Sequence, residues 1–258
     1  MVERRVTIVT GASQGIGTSI AVGFAGLGDV VVLAARNNEG LEETARQVET
    51  AGGLPLVAET DVTNPRSVDA LMDRVVGEHG HIDVLVNNSG VAGPSGRLWE
   101  VEADDWKSTF EVNVFGVFMM CRAALPLMVG RGSGAVINVG SISGKRPLFG
   151  RSSYTTTKMA LVGMTRTLAA EAGPHGVRVN LVSPGFVAGP RLDWVIEAQA
   201  EARGISAAEV RREFEDESPL GRLTEPEDVA RAVVFLASSD AEGVTGIDLN
   251  VNSGVVMY

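Results

Sequence analysis

In the stretch SISGKRPLFGRSSYTTTK, Ser141 stands thirteen residues before Tyr154, and Lys158 follows four residues after the tyrosine. If Tyr154 begins a helix, positions i and i+4 share a face, and the Lys158 ammonium lies beside the phenol. A free tyrosine ionises near pH 10 (about), and a neighbouring cation favours the phenolate, so the pair exchanges protons nearer neutrality. A lone Tyr-x-x-x-Lys is equally the pattern of a core tyrosine and a surface lysine. Its meaning depends on what the rest of the chain places around it.

The chain opens with a β-branched run, RVTIVT, followed by the glycine turn GASQGIG and the helix-like TSIAVGFAGLG. Glycines at 11, 15 and 17 let backbone pass close beneath a ligand, and the helix that follows turns its free N–H groups and positive dipole end toward a phosphate. A second strand, VVVLAAR, ends about 20 residues further on, where dinucleotide-binding folds place the residue that reads the adenosine ribose. Ala35 and Arg36 stand there. With no carboxylate to repel a 2′-phosphate and a guanidinium able to pair with one, the position favours NADP(H) over NAD(H).

Amphipathic and apolar segments then alternate: LEETARQVETAG, PLVAETDV, PRSVDALMDRVVGEHG, IDVLVNNSG. That rhythm predicts an α/β fold with a parallel sheet and helices on both faces. Asp61 and Val62 end the third strand and could border an adenine ring, and Asn87–Gly90 turn at the carboxyl edge of the fourth, where such sheets bind ligands. Residues 103–129 read as one long helix, apolar nearly all round, with Pro126 bending its last turns. Asn113 is its one amide and needs partners or a task. GAVINVGS delivers Ser141, and the helix bearing Tyr154 and Lys158 starts with Ser152 or Ser153 as its expected cap. Residues 190–220 form a charged insertion whose pieces, 191–203 and 206–216, are expected to fold as a helical hairpin with Trp194 and Phe214 turned inward. Long ordered insertions of this kind serve as lids, and substrate choice is expected to reside here.

Composition sets the remaining bounds. A net charge of −10 and a pI near 4.9, with scattered basic residues, oppose nucleic-acid binding. No unbroken apolar run approaches the ~20 residues of a membrane span, and the first residues carry no apolar signal region. A cytoplasmic protein is expected. Cys121 is the sole cysteine, in an apolar helical setting, and reads as buried rather than reactive. His79, His81 and His175 lack zinc-site spacing, so no metal is expected.

Taken in order, TGASQGIG, Asp61-Val62, NNSG, Asn113, Ser141, YTTTK and Pro184-Gly185 carry the spacing of the short-chain dehydrogenase/reductase family, and from residue 5 to about 254 the chain resembles its 3-ketoacyl-carrier-protein-reductase-like members. The resemblance implies one Rossmann-like domain over 1–258, a doubly wound parallel sheet of about seven strands, with 190–220 as substrate lid. It implies Tyr154 as general acid/base, Ser141 as hydrogen-bond donor to the substrate oxygen, Lys158 on the nicotinamide ribose and tuning the phenol, and Asn113 anchoring a water that connects Lys158 to solvent. The cofactor would lie on Gly11, Ser13, Gln14, Gly15, Ile16 and Gly17, with Arg36, Asp61 and Val62 at its adenosine end. Asn88, Ser89 and Gly90 would border its middle, and Pro184, Gly185 and Val187 would join Tyr154 and Lys158 at its nicotinamide. Ser89 replaces the family's usual alanine, and Gly189-Pro190 stand where a threonine often contacts the cofactor. The implied activity is ketone/secondary-alcohol interconversion on a small-molecule or thioester carbonyl, by a homotetramer or homodimer. A non-catalytic dinucleotide-binding regulator, or a lyase or isomerase on the same fold, are the competing readings.

Overall fold

Parallel strands cannot be joined by tight turns, so each connection crosses a sheet face as a helix. The computed structural model describes residues 4–258, and in it β1 (Val6–Thr10), β2 (Val30–Ala35), β3 (Leu54–Glu59), β4 (Val84–Asn87), β5 (Gly134–Val139), β6 (Val177–Pro184) and β7 (Asp248–Val251) form one sheet. The order is β3-β2-β1-β4-β5-β6-β7, with every neighbouring pair parallel. Successive side chains leave opposite faces. In β1, Val6 and Ile8 enter one core and Val9 the other. The first core is closed by α3 (Pro65–His79), α5 (Gly116–Arg131) and α6 (Ser152–Ala172), and the second by α1 (Ile16–Ala25), α2 (Asn38–Thr50) and α9 (Pro226–Ala237). Coverage on both faces is why the strands read as continuous apolar runs rather than alternating ones.

Strand order reverses between β1 and β4, and the carboxyl edge at such a switch point is where open α/β sheets bind ligands. Side chains lace the two strand ends together. Thr10 Oγ1 accepts the N–H groups of Asn88 and Ser89, both at 3.0 Å, while Asn88 Nδ2 donates to the carbonyls of Thr10 (3.0 Å) and Gly11 (3.1 Å).

The long helix holds a feature that periodicity did not show. α4 (Ala103–Phe110) runs through a π turn at Glu111–Phe115 directly into α5, and the Gly116 N–H bonds the Glu111 carbonyl, five residues back. Asn113 sits inside this turn. The span 103–131 is long and apolar enough to cross a bilayer by length and composition alone. Charged residues such as Arg122 hid that from a search for unbroken runs. Within this fold Val117, Met120, Cys121, Ala124 and Met128 are buried in the first core.

Two local expectations need correction. Neither Ser152 nor Ser153 caps α6. Arg151 occupies the cap position, and both serine hydroxyls are buried inside the first turn without a hydrogen bond. The insertion does form a hairpin, α7 (Pro190–Arg203) and α8 (Ala207–Asp216), but Trp194 is 66% exposed. Leu192, Ile196 and Ala200 take the inner stripe at intervals of four, which puts Trp194 on the other side. Phe214 is turned inward as expected, its ring edge-on to Phe186 at 4.6 Å. Ser206 caps α8 in a reciprocal pair with Glu209 (3.2 and 2.9 Å).

Candidate active site

The turn after β1 has the shape of a phosphate cradle. Gly11 and Gly15 adopt positive φ (65° and 58°), which side chains resist. A Cβ on Gly17 would lie 2.1 Å from the Gly11 carbonyl oxygen, so α1 begins in direct backbone contact with the turn that feeds it. Ser13, Gln14, Gly15 and Ile16 form the rim between. Gly40, which the sequence reading passed over, plays a similar part: a Cβ there would meet the Ser13 carbonyl at 2.6 Å, so α2 abuts the cradle from outside. The fit to a dinucleotide diphosphate is therefore steric as well as electrostatic: bare backbone faces the ligand and a helix N-terminus stands behind it.

The other cofactor candidates lie along the same edge. Arg36 is exposed just past β2, and Asp61 and Val62 follow β3. The Asp61 carboxylate accepts the backbone N–H (2.9 Å) and hydroxyl (2.7 Å) of Thr63, which hold its pKa below the usual range, with a smaller contribution from Arg36. Val62 is buried against Gly116, where a Cβ would come within 2.7 Å of a Val62 methyl. Asn88 has its amide committed to the β1 end, so it fixes the cradle's position. Pro184 closes β6, and Gly185 passes so close to Asn252 that a Cβ would lie 2.6 Å from it. Val187 pairs in parallel with Thr224 through the flanking Phe186 carbonyl and Ala188 N–H.

Beside this edge, the fold brings Asn113, Ser141, Tyr154 and Lys158 together. Ser141 leaves β5, its Oγ accepting the Ser143 N–H (3.1 Å) and hydrogen-bonding the Tyr154 phenol. Lys158 is 6% exposed, its Nζ donating to the Val139 carbonyl (2.8 Å) and standing 5.7 Å from the Tyr154 ring centre. Asn113 clamps Val91, accepting its N–H (2.8 Å) and donating to its carbonyl (3.0 Å), with a third bond to Thr157 Oγ1 (3.1 Å). Through this clamp Gly90 is held where a Cβ would sit 3.3 Å from Asn113 Oδ1 and 3.6 Å from Lys158 Nζ.

Charge at this site runs one way. Burial pushes the Tyr154 phenol up, but Lys158, Arg191, the Ser141 hydrogen bond and Arg151 together outweigh it and hold the phenol below its ordinary value. The Lys158 ammonium is pushed down, mainly by burial, with Arg191 adding repulsion and Tyr154 opposing. Arg151 and Arg191 were missed by motif reading. A helical periodicity argument could have found Arg151, three residues before Tyr154 and one turn away. Arg191 is brought in only by the tertiary path from β6 to α7. Cys121 is inert, its thiol pushed up to about 12 by burial despite a bond from Asn87. Among the described residues no cluster of three or more His, Cys, Asp or Glu could hold a metal.

Acid–base groups set beside a glycine turn at a sheet switch point are the equipment of an oxidoreductase that uses a nicotinamide dinucleotide. Residues 11–256 match the family described as Enoyl-(Acyl carrier protein) reductase, and the chain belongs to the short-chain dehydrogenase/reductase family. It is similar to cis-4-hydroxycyclohexanecarboxylate dehydrogenase of Sinomonas cyclohexanicum, with 40% identity over 97% of this chain and 96% of that protein. It is 35% identical to the 3-oxoacyl-(acyl-carrier-protein) reductase of Vibrio cholerae over 99% and 98% of the two chains. The structure of L-sorbose reductase from Gluconobacter frateurii, complexed with NADPH and L-sorbose, superposes with a TM-score of 0.93 at 33% identity, covering 100% of this chain and 98% of that one.

Proposed function

We propose that this chain interconverts a ketone and a secondary alcohol with NADP(H), Tyr154 acting as general acid/base. The observation that carries the reading is the half-buried phenol held between the Ser141 hydroxyl and the buried Lys158 ammonium beside the glycine cradle. The nicotinamide, when bound, supplies or accepts the hydride. In reduction Tyr154 gives its proton to the carbonyl oxygen, Ser141 donates a hydrogen bond to the same oxygen, and Lys158 stabilises the phenolate left behind. Asn113 keeps the route from Lys158 to solvent in shape. Its amide is committed to Val91 and Thr157, so a relay water would sit on its backbone carbonyl rather than its side chain.

Gly11 through Gly17 would hold the diphosphate, Arg36 the 2′-phosphate, Asp61 and Val62 the adenine edge, Asn88 to Gly90 the middle of the cofactor, and Pro184 to Val187 the carboxamide. Ala35→Asp is expected to raise the KM for NADPH by about 10–100-fold, as a carboxylate facing a phosphate across a few ångström of partly screened solvent costs on the order of 1–3 kcal/mol. The KM for NADH should fall, and an unchanged ratio of the two would remove Arg36 from the assignment. Residues 190–220 act as the substrate lid of a unit spanning 1–258. Exposed, adjacent Phe115 and Phe118, ring centres 5.4 Å apart, support a homotetramer (or homodimer), and a lone buried cysteine suits a cytoplasmic setting.

The relatives are named for a cyclic hydroxy acid, for a carrier-protein thioester and for a neutral sugar, so the test is a panel of all three kinds of carbonyl followed by NADPH absorbance. Stoichiometric consumption of NADPH with alcohol formation is expected. Product without net cofactor consumption would point instead to a lyase or isomerase, and tight dinucleotide binding with no turnover to a regulator. A pH series adds a sign. Lys158 lowers the Tyr154 pKa, and alcohol oxidation needs the phenolate, so its rate rises as pH passes that pKa. Lys158→Met should move this rise to higher pH as well as weaken turnover, and an unmoved profile would assign the limb to another group.

A further inference from the structure

Most arginines near the hairpin have acid partners. Arg146 pairs with Glu217, Arg203 with Glu213 and Arg211 with Asp193. The two beside the reactive phenol differ. Arg151 and Arg191 place their guanidinium carbons 5.8 and 5.5 Å from the Tyr154 ring centre, and among the described residues neither pairs with a carboxylate. Arg151 commits one N–H to the Ala92 carbonyl at 2.9 Å and is half-buried. The nearest acid along the chain from Arg191 is Asp193, which is already taken by Arg211. Two guanidiniums repelling one another around a third cation, Lys158, without a counter-charge, form an unbalanced arrangement. Arg151 is half-buried and Arg191 exposed, so both guanidiniums can be reached from solvent while lying against one ring, and an anion entering between them would meet two sets of N–H donors.

We propose that Arg151 and Arg191 form an anion-binding subsite beside Tyr154, and that the substrate ketone or alcohol carries a carboxylate. The subsite rests on the reading of Tyr154 as the acid that meets the substrate oxygen. Because both guanidiniums reach the ring of that same residue, the carboxylate and the reacting carbon belong to one compact molecule, such as a ring ketone bearing an acid group. A thioester is neutral at the corresponding position and leaves both cations uncompensated. The planar forks suit a carboxylate better than lysines would, since each can donate two parallel N–H bonds. Occupation also bears on the chemistry: a bound carboxylate offsets Arg191 and Arg151, which together with Lys158 hold the phenol down, and so favours the protonated form that reduction needs.

The test compares a cyclohexanone bearing a ring carboxylate with its methyl ester, using wild type, Arg151→Gln and Arg191→Gln. A hydrogen-bonded charge contributes about 1.5–3 kcal/mol. Each variant should therefore lose about 10–150-fold more in kcat/KM for the acid than for the ester, whose rate shares only the change in the Tyr154 pKa, and should keep its KM for NADPH. Equal losses for both substrates, a rise only in the cofactor KM, or a wild type indifferent to the ester would each overturn the subsite. Binding gives an independent reading: cyclohexanecarboxylate should raise the Tm of the wild-type NADPH complex with increasing concentration, and that of the variant complexes much less. No difference in that shift also overturns the proposal. A clear difference with no turnover of any carbonyl would keep the subsite and reject the ketone chemistry, so the two readings fail separately.

Discussion

Tyr154→Phe is expected to lower kcat by about 10²–10⁴-fold, the range of a positioned general acid, equivalent to about 3–5 kcal/mol of barrier. Phenylalanine keeps the ring between Arg151, Arg191 and Lys158 and removes only the oxygen that bonds Ser141. The fold should be unaffected, because the phenol oxygen holds no strand or helix in place. NADPH affinity, read by fluorescence titration, should stay within a few fold, since the cradle at Gly11–Gly17 lies on another element. The informative result is the combination of lost turnover and retained binding. A variant that kept more than about a tenth of wild-type kcat would show that another group, or solvent, protonates the oxygen.

Gly17→Ala should act on the other half of the site. The new methyl would sit 2.1 Å from the Gly11 carbonyl oxygen and 2.7 Å from Asn88 Nδ2. Neither neighbour yields easily. Gly11 is held in a left-handed turn, its N–H bonded to the Ala34 carbonyl at 2.7 Å, and Asn88 is tied to the β1 end through two hydrogen bonds. Overpacking of this kind costs about 1–3 kcal/mol. For a chain of this size that lowers Tm by roughly 2–10 °C. The larger effect is expected on the cofactor, because displacing the turn moves the N–H groups proposed to hold the diphosphate, and NADPH binding should weaken at least ~10-fold. Calorimetric Tm and the titration separate the two effects. Wild-type values for both would mean that the turn can shift without consequence and that the cradle assignment is wrong.

Much of this was legible in the residues. Strand and helix order followed from the alternation of VTIVT, VVVLAA and VLVN with amphipathic stretches, because a two-sided sheet demands continuous apolar strands. The glycine turn and the Ser141, Tyr154 and Lys158 spacing pointed to residues that the fold does bring together, because each is a local pattern with few alternative uses once they occur together. What escaped was non-local. The π turn around Asn113 adds one residue to a helix without altering its composition, so hydrophobic periodicity passed through it unchanged. Ser152 and Ser153 looked like caps by type, yet the helix starts one residue earlier and leaves both inside its first turn. Trp194 is expected inward on an amphipathic piece, whereas by register the inner stripe belongs to Leu192, Ile196 and Ala200. Arg191 carries no signal at all until the chain after β6 brings it to the phenol.

The lacing of Thr10 and Asn88 and the small core of the α7–α8 hairpin divide the molecule into parts of different local stability. Amides of the central strands and of Asn88 and Ser89 are bonded within two large cores, so they exchange with solvent only through openings that approach global unfolding. The hairpin rests on Ile196, Ala200 and Val210, with Phe214 against Phe186 and an Arg146–Glu217 pair as its ties to the sheet. Its amides should exchange through cheap, local openings. Ser141 and Lys158, proposed to act on the substrate, thus stand on the slow part of the protein, while Arg191 rides on the fast part. If the hairpin is the proposed lid, substitutions in its small core would change how often Arg191 stands beside Tyr154 while leaving Ser141 and Lys158 in place.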